Sequence, residues 1–330
     1  MTEGAPTPRV SIILSVRNGM LYLPEAIESI AGQTVCDWEL VVNDNASEDG
    51  TAAYLEQCAA SEPRIVYLRS TGDHGAGGGL NRALASARAP LIAVMDADDR
   101  ALPRRLERQL QFMAQHPEIV ACSCSAYYID TLGRRVGTAH YSPTSVESYQ
   151  QMRSASEPIA LLHPGALIRR EVLDQIGGYR QEFFPAEDVD LWTRLGDVGV
   201  VYALNERLME YRVHAQATMS LFFDEARLKH EWVRACLIAR QRGRAEPGWD
   251  DFNRSWQEAP IWIRFHRGRR ILAERLCRLA REDFAVDRRL GGAAKLATAA
   301  LLRPVYTAPR VRGHLLAGRS VVLTATPQVS

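Results

Sequence analysis

Short apolar runs alternating with stretches of helical spacing constrain this chain more than any other feature. Val10 to Val16 reads VSIILSV, nearly continuous and rich in β-branched residues, as a strand buried on both faces requires. Arg17-Asn18-Gly19 breaks it, and Leu23, Ala26, Ile27 and Ile30 then recur at helical spacing. Glu39 to Val42 reads as a second strand, Thr51 to Ala60 as a helix and Ile65 to Leu68 as a third strand. Gly72 to Gly79 reads as a glycine-rich loop, followed by a helix over Leu80 to Arg88. Leu91 to Met95 is a fourth apolar strand that runs into Asp96-Ala97-Asp98-Asp99. This alternation predicts an α/β fold built on a doubly wound, largely parallel sheet.

The next segments are less regular. A helix is expected over Pro103 to Gln115, a longer strand over Ile119 to Ile129, and a turn at Leu132-Gly133-Arg134. Residues 140–160 read as polar and irregular. Ala166 to Arg169 suits a strand, Arg170 to Ile176 and Val189 to Gly196 suit helices, and Val200 to Ala203 and Leu208 to Tyr211 suit two strands. After about Leu221 the pattern turns helical, with amphipathic stretches over Asp224 to Gln241, Ile261 to Arg281 and Leu290 to Leu302. The expected division is a catalytic domain over 1–220 and a basic helical extension over 221–330.

Charge divides at the same place. Residues 1–220 hold 19 Arg and no Lys against 28 acidic residues, and residues 221–330 hold 21 basic against 11 acidic, so a net charge of +1 hides −9 and +10. A basic tail suits an anionic lipid surface or another polyanion, or is simply a scattered basic surface. Arg264, Arg267, Arg269 and Arg270 cluster around Trp262, Phe265 and Ile271, which suits an anionic bilayer face as well as packing against the rest of the chain. The 6 cysteines form no C-x-x-C pair, so free thiols in a reducing compartment are expected. Met1 to Arg9 lacks the basic-then-apolar signal pattern, and no apolar run reaches the roughly 20 residues of a membrane span. The expectation is a cytoplasmic protein, with peripheral attachment at the inner face of the cell membrane left open.

Ligands of open α/β sheets bind beyond the carboxyl ends of the strands. That rule gathers Ser15 to Asn18, Asp44-Asn45, the glycine-rich stretch and Asp96 to Asp99. Asp96-x-Asp98 suits a hard divalent cation such as Mn²⁺ or Mg²⁺ together with diphosphate oxygens, or an acidic turn before the next helix. Asp44 suits the N–H edge of a base, while Ser47 and Asp49 suit helix capping. The glycines suit a phosphate cradle or a surface loop, with neither a Gly-Lys-Ser/Thr nor a GxGxxG pattern. Arg82 suits an anionic group or solvent. Glu187-Asp188, at the start of a helix, suit a general base or plain capping. His214 stands alone after a strand.

These segments occur in an order that resembles family 2 glycosyltransferases of the GT-A fold. The resemblance rests on Val10-Ser11-Ile12-Ile13 with Asn18, VVNDNASEDGT, Leu80-Asn81-Arg82-Ala83-Leu84, Met95 to Asp99, His163-Pro164-Gly165, Gly177-Gly178-Tyr179, Ala186 to Trp192, and Tyr211 to His214. It covers about residues 8–220. It implies a doubly wound mixed sheet flanked by helices and inverting transfer of a sugar from a UDP-, dTDP- or GDP-sugar to a hydroxyl of a glycan or lipid-linked acceptor, with no nucleic acid involved. Ser15, Val16, Arg17, Asn18, Asp44, Asn45, Asn81, Arg82, Asp96 and Ala97 would bind the donor, with Asp44 on the base and Asp96 on ribose or sugar. Asp98, with His214, would hold Mn²⁺ or Mg²⁺. Asp188 would be the catalytic base, Glu187 would position donor or acceptor, and His163 and Trp192 would line the acceptor site, with helix packing the favoured alternative for Trp192. Asn43 and Asn45 depart from the Asp-Asp-Gly of many relatives, which leaves the nucleotide open. The absence of Q-x-x-R-W favours one sugar per encounter in surface polysaccharide or glycolipid assembly. A nucleotidyltransferase and a degenerate carbohydrate-binding module are the competing readings.

Overall fold

The computed structural model describes residues 7–214, 221–285, 288–304 and 321–324. The chain forms two units, residues 1–126 with 141–211 and residues 127–140 with 212–330.

The first unit is built on strands β1 (Val10–Val16), β2 (Trp38–Asp44), β3 (Ile65–Arg69) and β4 (Leu91–Met95), separated by helices α1 (Leu23–Ala31), α2 (Thr51–Ser61) and α3 (Gly75–Ser86). β1 lies between β2 and β4 and pairs with both in parallel, in a register that sets Ser15 beside Asn43 and Val16 beside Asp44. Its residues are apolar on both faces because helices cover both. After the short β5 (Arg100–Ala101) and α4 (Arg105–Gln115), β6 (Ile119–Ile129) and β8 (Leu167–Arg169) complete the sheet. β8 runs antiparallel between β4 and β6, so the sheet is mixed where alternation alone predicted parallel pairing. Its strand order within this unit is β6-β8-β4-β1-β2-β3. Helices α5 (Val146–Ser154), α6 (Arg170–Ile176) and α7 (Glu187–Val198) and strand β9 (Val200–Arg212) follow, with β7 (Arg135–His140) falling in the second unit. Ile13, Val41, Leu80, Leu84, Val94, Ile168 and Trp192 form the core between sheet and helices. Each such aliphatic side chain contributes about 1.5–3 kcal/mol by burial.

The two ends of the parallel strands are built differently. At the amino end, the buried Glu39 carboxylate accepts hydrogen bonds from Ser11 Oγ (2.5 Å), Arg88 N (2.7 Å) and Arg88 Nε (2.7 Å). Burial pushes its pKa up, and these donors outweigh it and hold the group below its usual range. That end is closed by a satisfied polar knot. The carboxyl end gathers Asp44, Asp96, Asp98 and Asp99, and there the pKa of Asp96 is raised where that of Glu39 is lowered.

Four elements differ from expectation. The glycine-rich stretch is helical from Gly75. Its glycines serve close packing: a Cβ on Gly77 would meet Tyr179 Cβ at 3.3 Å and Glu187 Cγ at 3.5 Å, and one on Gly79 would meet Ser15 Oγ at 2.0 Å and Asn45 Nδ2 at 2.8 Å. Tertiary demand here overrides the low helix propensity of glycine. Residues 146–154 form a helix opened by a capping box between Ser145 and Ser148. The expected pair of strands at 200–211 is one continuous strand, whose exposed polar middle is fixed by an Arg108–Glu206 ion pair. Among the described residues the tail holds four helices, α8 (Phe223–Gln241), α9 (Trp249–Gln257), α10 (Ile261–Ala285) and α11 (Arg289–Leu302), of which α9 was not expected.

In the second unit, the end of β6 turns into β7 through Gly133, which adopts a φ of 77°, and Asp130, whose side chain accepts from Leu132 N and Arg134 N at 2.9 Å each. Strand β10 (Val321–Thr324) pairs with β7 in parallel. α10 and α11 pack through Ala273, Cys277, Ala280, Leu296 and Ala299. The cysteines of the chain are free thiols.

Gly79→Ala is expected to cost about 1–3 kcal/mol, because the new methyl also crowds Ser15 Cβ at 2.9 Å and no rotation of Ser15 relieves that. Gly72→Ala, with open space at the same position, is expected to stay within about 0.5 kcal/mol of wild type. Urea unfolding of the two variants checks this, and equal stabilities would show that the glycines are not packing residues.

Candidate active site

Residues that close β1 and β2 form one wall of the site. Asn45 N donates to Val16 O (2.8 Å), which joins the two strand ends. Asn45 Nδ2 donates to Ser15 Oγ (3.2 Å) and to Gly75 O (2.9 Å), while its Oδ1 accepts from Asn43 Nδ2 (2.8 Å). Asn18 sits in the left-handed region (φ 53°), donates from its backbone to Ser47 Oγ (2.8 Å) and accepts from Glu48 N (2.8 Å). Asp44 is fully buried, and its oxygens accept from Ser47 N (2.9 Å) and Tyr67 OH (3.3 Å). Arg82 Nε and Ser70 Oγ donate to Asn43 Oδ1 (3.1 and 3.0 Å). Arg17 is exposed and pairs with Asp73. The structure therefore brings Ser15 to Asn18, Asp44, Asn45 and Arg82 to one region, with Tyr67 and Ser70 added.

The loop after β4 forms the floor. Carboxylate oxygens of Asp96, Asp98 and Asp99 lie within 4.8 Å of one another. Ala97 lies against Gly19, where a Cβ would sit 3.5 Å from the Ala97 methyl. The pKa of Asp96 is raised well above the usual carboxylate range, first by burial and then by the charges of Asp98, Asp188 and Glu187, against which Arg105 acts. The same interactions place the distant Asp188 and Glu187 within electrostatic reach of the Asp96 loop.

Glu187 and Asp188 open α7, where the helix dipole favours negative charge. Asp188 Oδ1 accepts from Val189 N (2.8 Å). Burial nevertheless pushes Asp188 up to about 6, and burial together with Asp188 pushes Glu187 up to about 7. Glu187 Oε2 is buried without a hydrogen-bond partner. Two residues on, Asp190 has a different environment. It is fully buried and accepts from Arg180 Nε (3.0 Å) and Arg194 Nε (2.8 Å), and Arg194 also donates to Ile176 O and Gly178 O (2.8 and 2.7 Å). One acid of this helix start is structural and two are left without a cation.

Behind the floor lies Arg105, 2% exposed, which sequence reasoning missed. Its Nη2 donates to Val94 O (2.9 Å) and Ala166 O (3.0 Å), and its Nε donates to Gln109 Oε1 (3.1 Å). It ties the end of β4 to the turn His163–Gly165, and Gln109 Nε2 adds a bond to Gly165 O (2.8 Å). Tyr179 was also missed as a site residue, although its motif was visible. Its OH lies 3.0 Å from His163 Nε2, and the acids at 96, 187 and 188, after burial itself, hold its pKa well above the usual phenol value. Burial lowers His163 to about 4, so the ring is neutral, and its buried Nδ1 has no hydrogen-bond partner. Trp192 is fully buried and backs this pair, its ring edge-on to His163 at 6.5 Å. Asn81 clamps the backbone of Tyr179 from both sides, donating to its O (2.8 Å) and accepting from its N (2.9 Å). His214 is half-buried after β9 and belongs to the second unit.

A cation fits the first unit's carboxylates. Asp96, Asp98 and Asp99 offer hard oxygen ligands, and the raised acids beside them, with the partnerless Glu187 oxygen, mark an excess of negative charge that the protein does not neutralise. A group of carboxylates next to a pocket walled by amides and hydroxyls can bind an anionic ligand through a metal and accept a proton from a hydroxyl.

The family model for glycosyl transferase family 2 matches residues 11–177. TuaG of Bacillus subtilis, named for glycosyl transfer in teichuronic acid biosynthesis, is 30% identical over 210 residues, which span 62% of this chain and 79% of TuaG. Among solved structures, S. aureus TarS with UDP-GlcNAc superposes with a TM-score of 0.55 at 17% identity, covering 91% of this chain and 92% of that one. The mannosyltransferase PcManGT from Pyrobaculum calidifontis, with GDP-Man and Mn²⁺, gives 0.53 at 22% identity, covering 95% and 81%. At these identities the two structures are likenesses of fold, and the fold is GT-A.

Asp190→Ala is expected to destabilise by about 3–5 kcal/mol, since it leaves the buried Arg194 and the half-buried Arg180 without their shared carboxylate. Glu187→Gln removes a charge that burial disfavours and is expected to match or exceed wild-type stability at pH 8. Chemical denaturation of the two variants checks both directions.

Proposed function

Because the chain belongs to glycosyl transferase family 2, we propose that it moves one sugar from a UDP-, dTDP- or GDP-sugar to a hydroxyl of a glycan or lipid-linked acceptor, with inversion at the anomeric carbon. The observation that carries this reading is the contrast inside α7: Asp190 is fully buried and neutralised by two arginines, whereas Glu187 and Asp188 are half-buried, have no ion pair among the described residues and lie within reach of the Asp96 loop. The teichuronic acid role in the name of TuaG, and the nucleotide sugars held by TarS and PcManGT, support a place in surface polysaccharide assembly.

The roles follow from the environments. Ser15 to Asn18 and Asp44-Asn45 form the wall for the nucleoside, with Asp44 held in place by Ser47 and Tyr67. Asp98, with Asp96 and Asp99 beside it, would hold Mn²⁺ or Mg²⁺, as the Mn²⁺ of PcManGT suggests for the fold. When bound, such an ion neutralises charge on the departing diphosphate. Asp188 takes the proton of the acceptor hydroxyl. A pKa of about 6 leaves it ionised at neutral pH while making it a stronger base than a free aspartate. Glu187 orients the acceptor. The neutral His163–Tyr179 pair supplies hydrogen-bonding edges beside the same acids.

Incubation with Mn²⁺ and a panel of nucleotide sugars is expected to release a nucleoside diphosphate; release of pyrophosphate, or of nothing, would contradict the reading. Asp188→Asn is expected to keep donor binding and lose transfer by about 10²–10⁴-fold. A base must be deprotonated, so kcat/KM is expected to fall about tenfold per unit of pH on the acid side of a midpoint no higher than about 6. Asp188→Asn should abolish that limb, and an unchanged profile in the variant would remove Asp188 from the role.

A further inference from the structure

We infer that the first three turns of α10 form a docking face for an anionic lipid bilayer. The inference concerns the second unit alone and stands independently of the reaction assigned above. α10 buries one side against α11 through Ala273, Cys277 and Ala280. Ahead of that contact, its first three turns carry large apolar groups in water: Ile261 is 83% exposed, Trp262 and Phe265 64% each, and Leu272 47%. At about 100° per residue, Ile261, Phe265 and Leu272 project within roughly 40° of one another, and Trp262 widens the exposed apolar face by about 60° on the Phe265 side. Soluble surfaces scatter such residues singly, and a contiguous group marks a binding surface.

Charge decides which surface. From Ala259 to Ala273 the sequence contains no Asp or Glu and includes Arg264, Arg267, Arg269 and Arg270. Among the described residues only Arg270 of these four has a carboxylate at ion-pair distance, Glu231. Arg267 stacks on Trp256 at 3.7 Å and Arg269 donates to Leu302 O at 2.9 Å, so both are held in place without a carboxylate at ion-pair distance, Glu231 acting on Arg267 from farther away. Arg264 is exposed and flanks the apolar stripe. A second copy of the chain suits this face poorly, because a two-fold contact would set the arginines of one copy against those of the other. A bilayer with anionic headgroups accepts both features at once: Trp262 and Phe265 enter the headgroup–acyl boundary while the guanidinium groups stay among the phosphates.

The test is sedimentation of the full chain with vesicles of phosphatidylcholine alone and of phosphatidylcholine mixed with phosphatidylglycerol. Binding is expected only to the mixed vesicles and is expected to weaken as salt rises. The double variant Trp262→Ala/Phe265→Ala is expected to lower the partition coefficient more than about tenfold, and Arg264→Glu by roughly tenfold. All three positions are exposed, so circular dichroism and urea midpoints should match wild type. Wild-type protein left in the supernatant with the mixed vesicles, or a double variant that binds as well as wild type, would overturn the proposal. So would lipid-free sedimentation velocity showing a dimer that the double variant abolishes, since the face would then join two copies.

Discussion

Negative charge left unneutralised inside a fold is costly, and the organisation of the first unit follows from where that cost is tolerated. Glu39 at the amino ends of the strands and Asp190 within α7 are buried acids with full sets of donors. Asp96, Glu187 and Asp188 are half-buried acids without them, and their pKa values rise accordingly. A sequence selected for stability alone would remove these charges or pair them. Their retention at the carboxyl ends of a doubly wound sheet, where such folds bind ligands, is what the proposed cation and anionic donor would answer.

The surrounding structure holds those acids in place. Arg105 fixes the end of β4 to the His163–Gly165 turn from behind. Asn81 fixes the backbone of Tyr179, and the glycines of α3 let Tyr179 and Glu187 approach the helix closely. Asn45 ties β1 to the start of α3. Each contact joins segments far apart in sequence, so the acids owe their proximity to the whole sheet and not to any one loop.

This explains what could be read from the sequence. β1 to β4 and α1 announce themselves because apolar periodicity is a local property, and the motif acids follow from the strand ends. The sequence predicts the second half of α3, and its first turn, Gly75 to Gly79, reads as loop because glycines suggest flexibility, whereas they answer contacts with Ser15, Gln181 and Glu187 that only folding reveals. β8 pairs antiparallel because of where the chain returns to the sheet, which no local pattern records. α5 is short and polar and lacks a clear apolar stripe, whereas α9 carries Trp249, Phe252 and Trp256 at helical spacing and was legible in the sequence. Arg105 reads as one more charged residue on a helix until its burial is seen, and Asn81, grouped in the sequence with donor-binding residues, has both ends of its amide engaged by Tyr179. The family resemblance supplied the order of the motifs, and the structure adds which acids are neutralised and which are not.

The central claim is that the carboxylates around Asp96 and Asp98 exist to hold a divalent cation together with a nucleoside diphosphate. Calorimetric titration of UDP and GDP into the protein, with and without Mn²⁺, tests it most directly. At least one nucleotide should bind at least about tenfold more tightly with Mn²⁺, and Asp98→Asn should erase that gain while leaving the fold intact. Nucleotide affinity that ignores Mn²⁺, or a gain that survives in Asp98→Asn, would contradict the account.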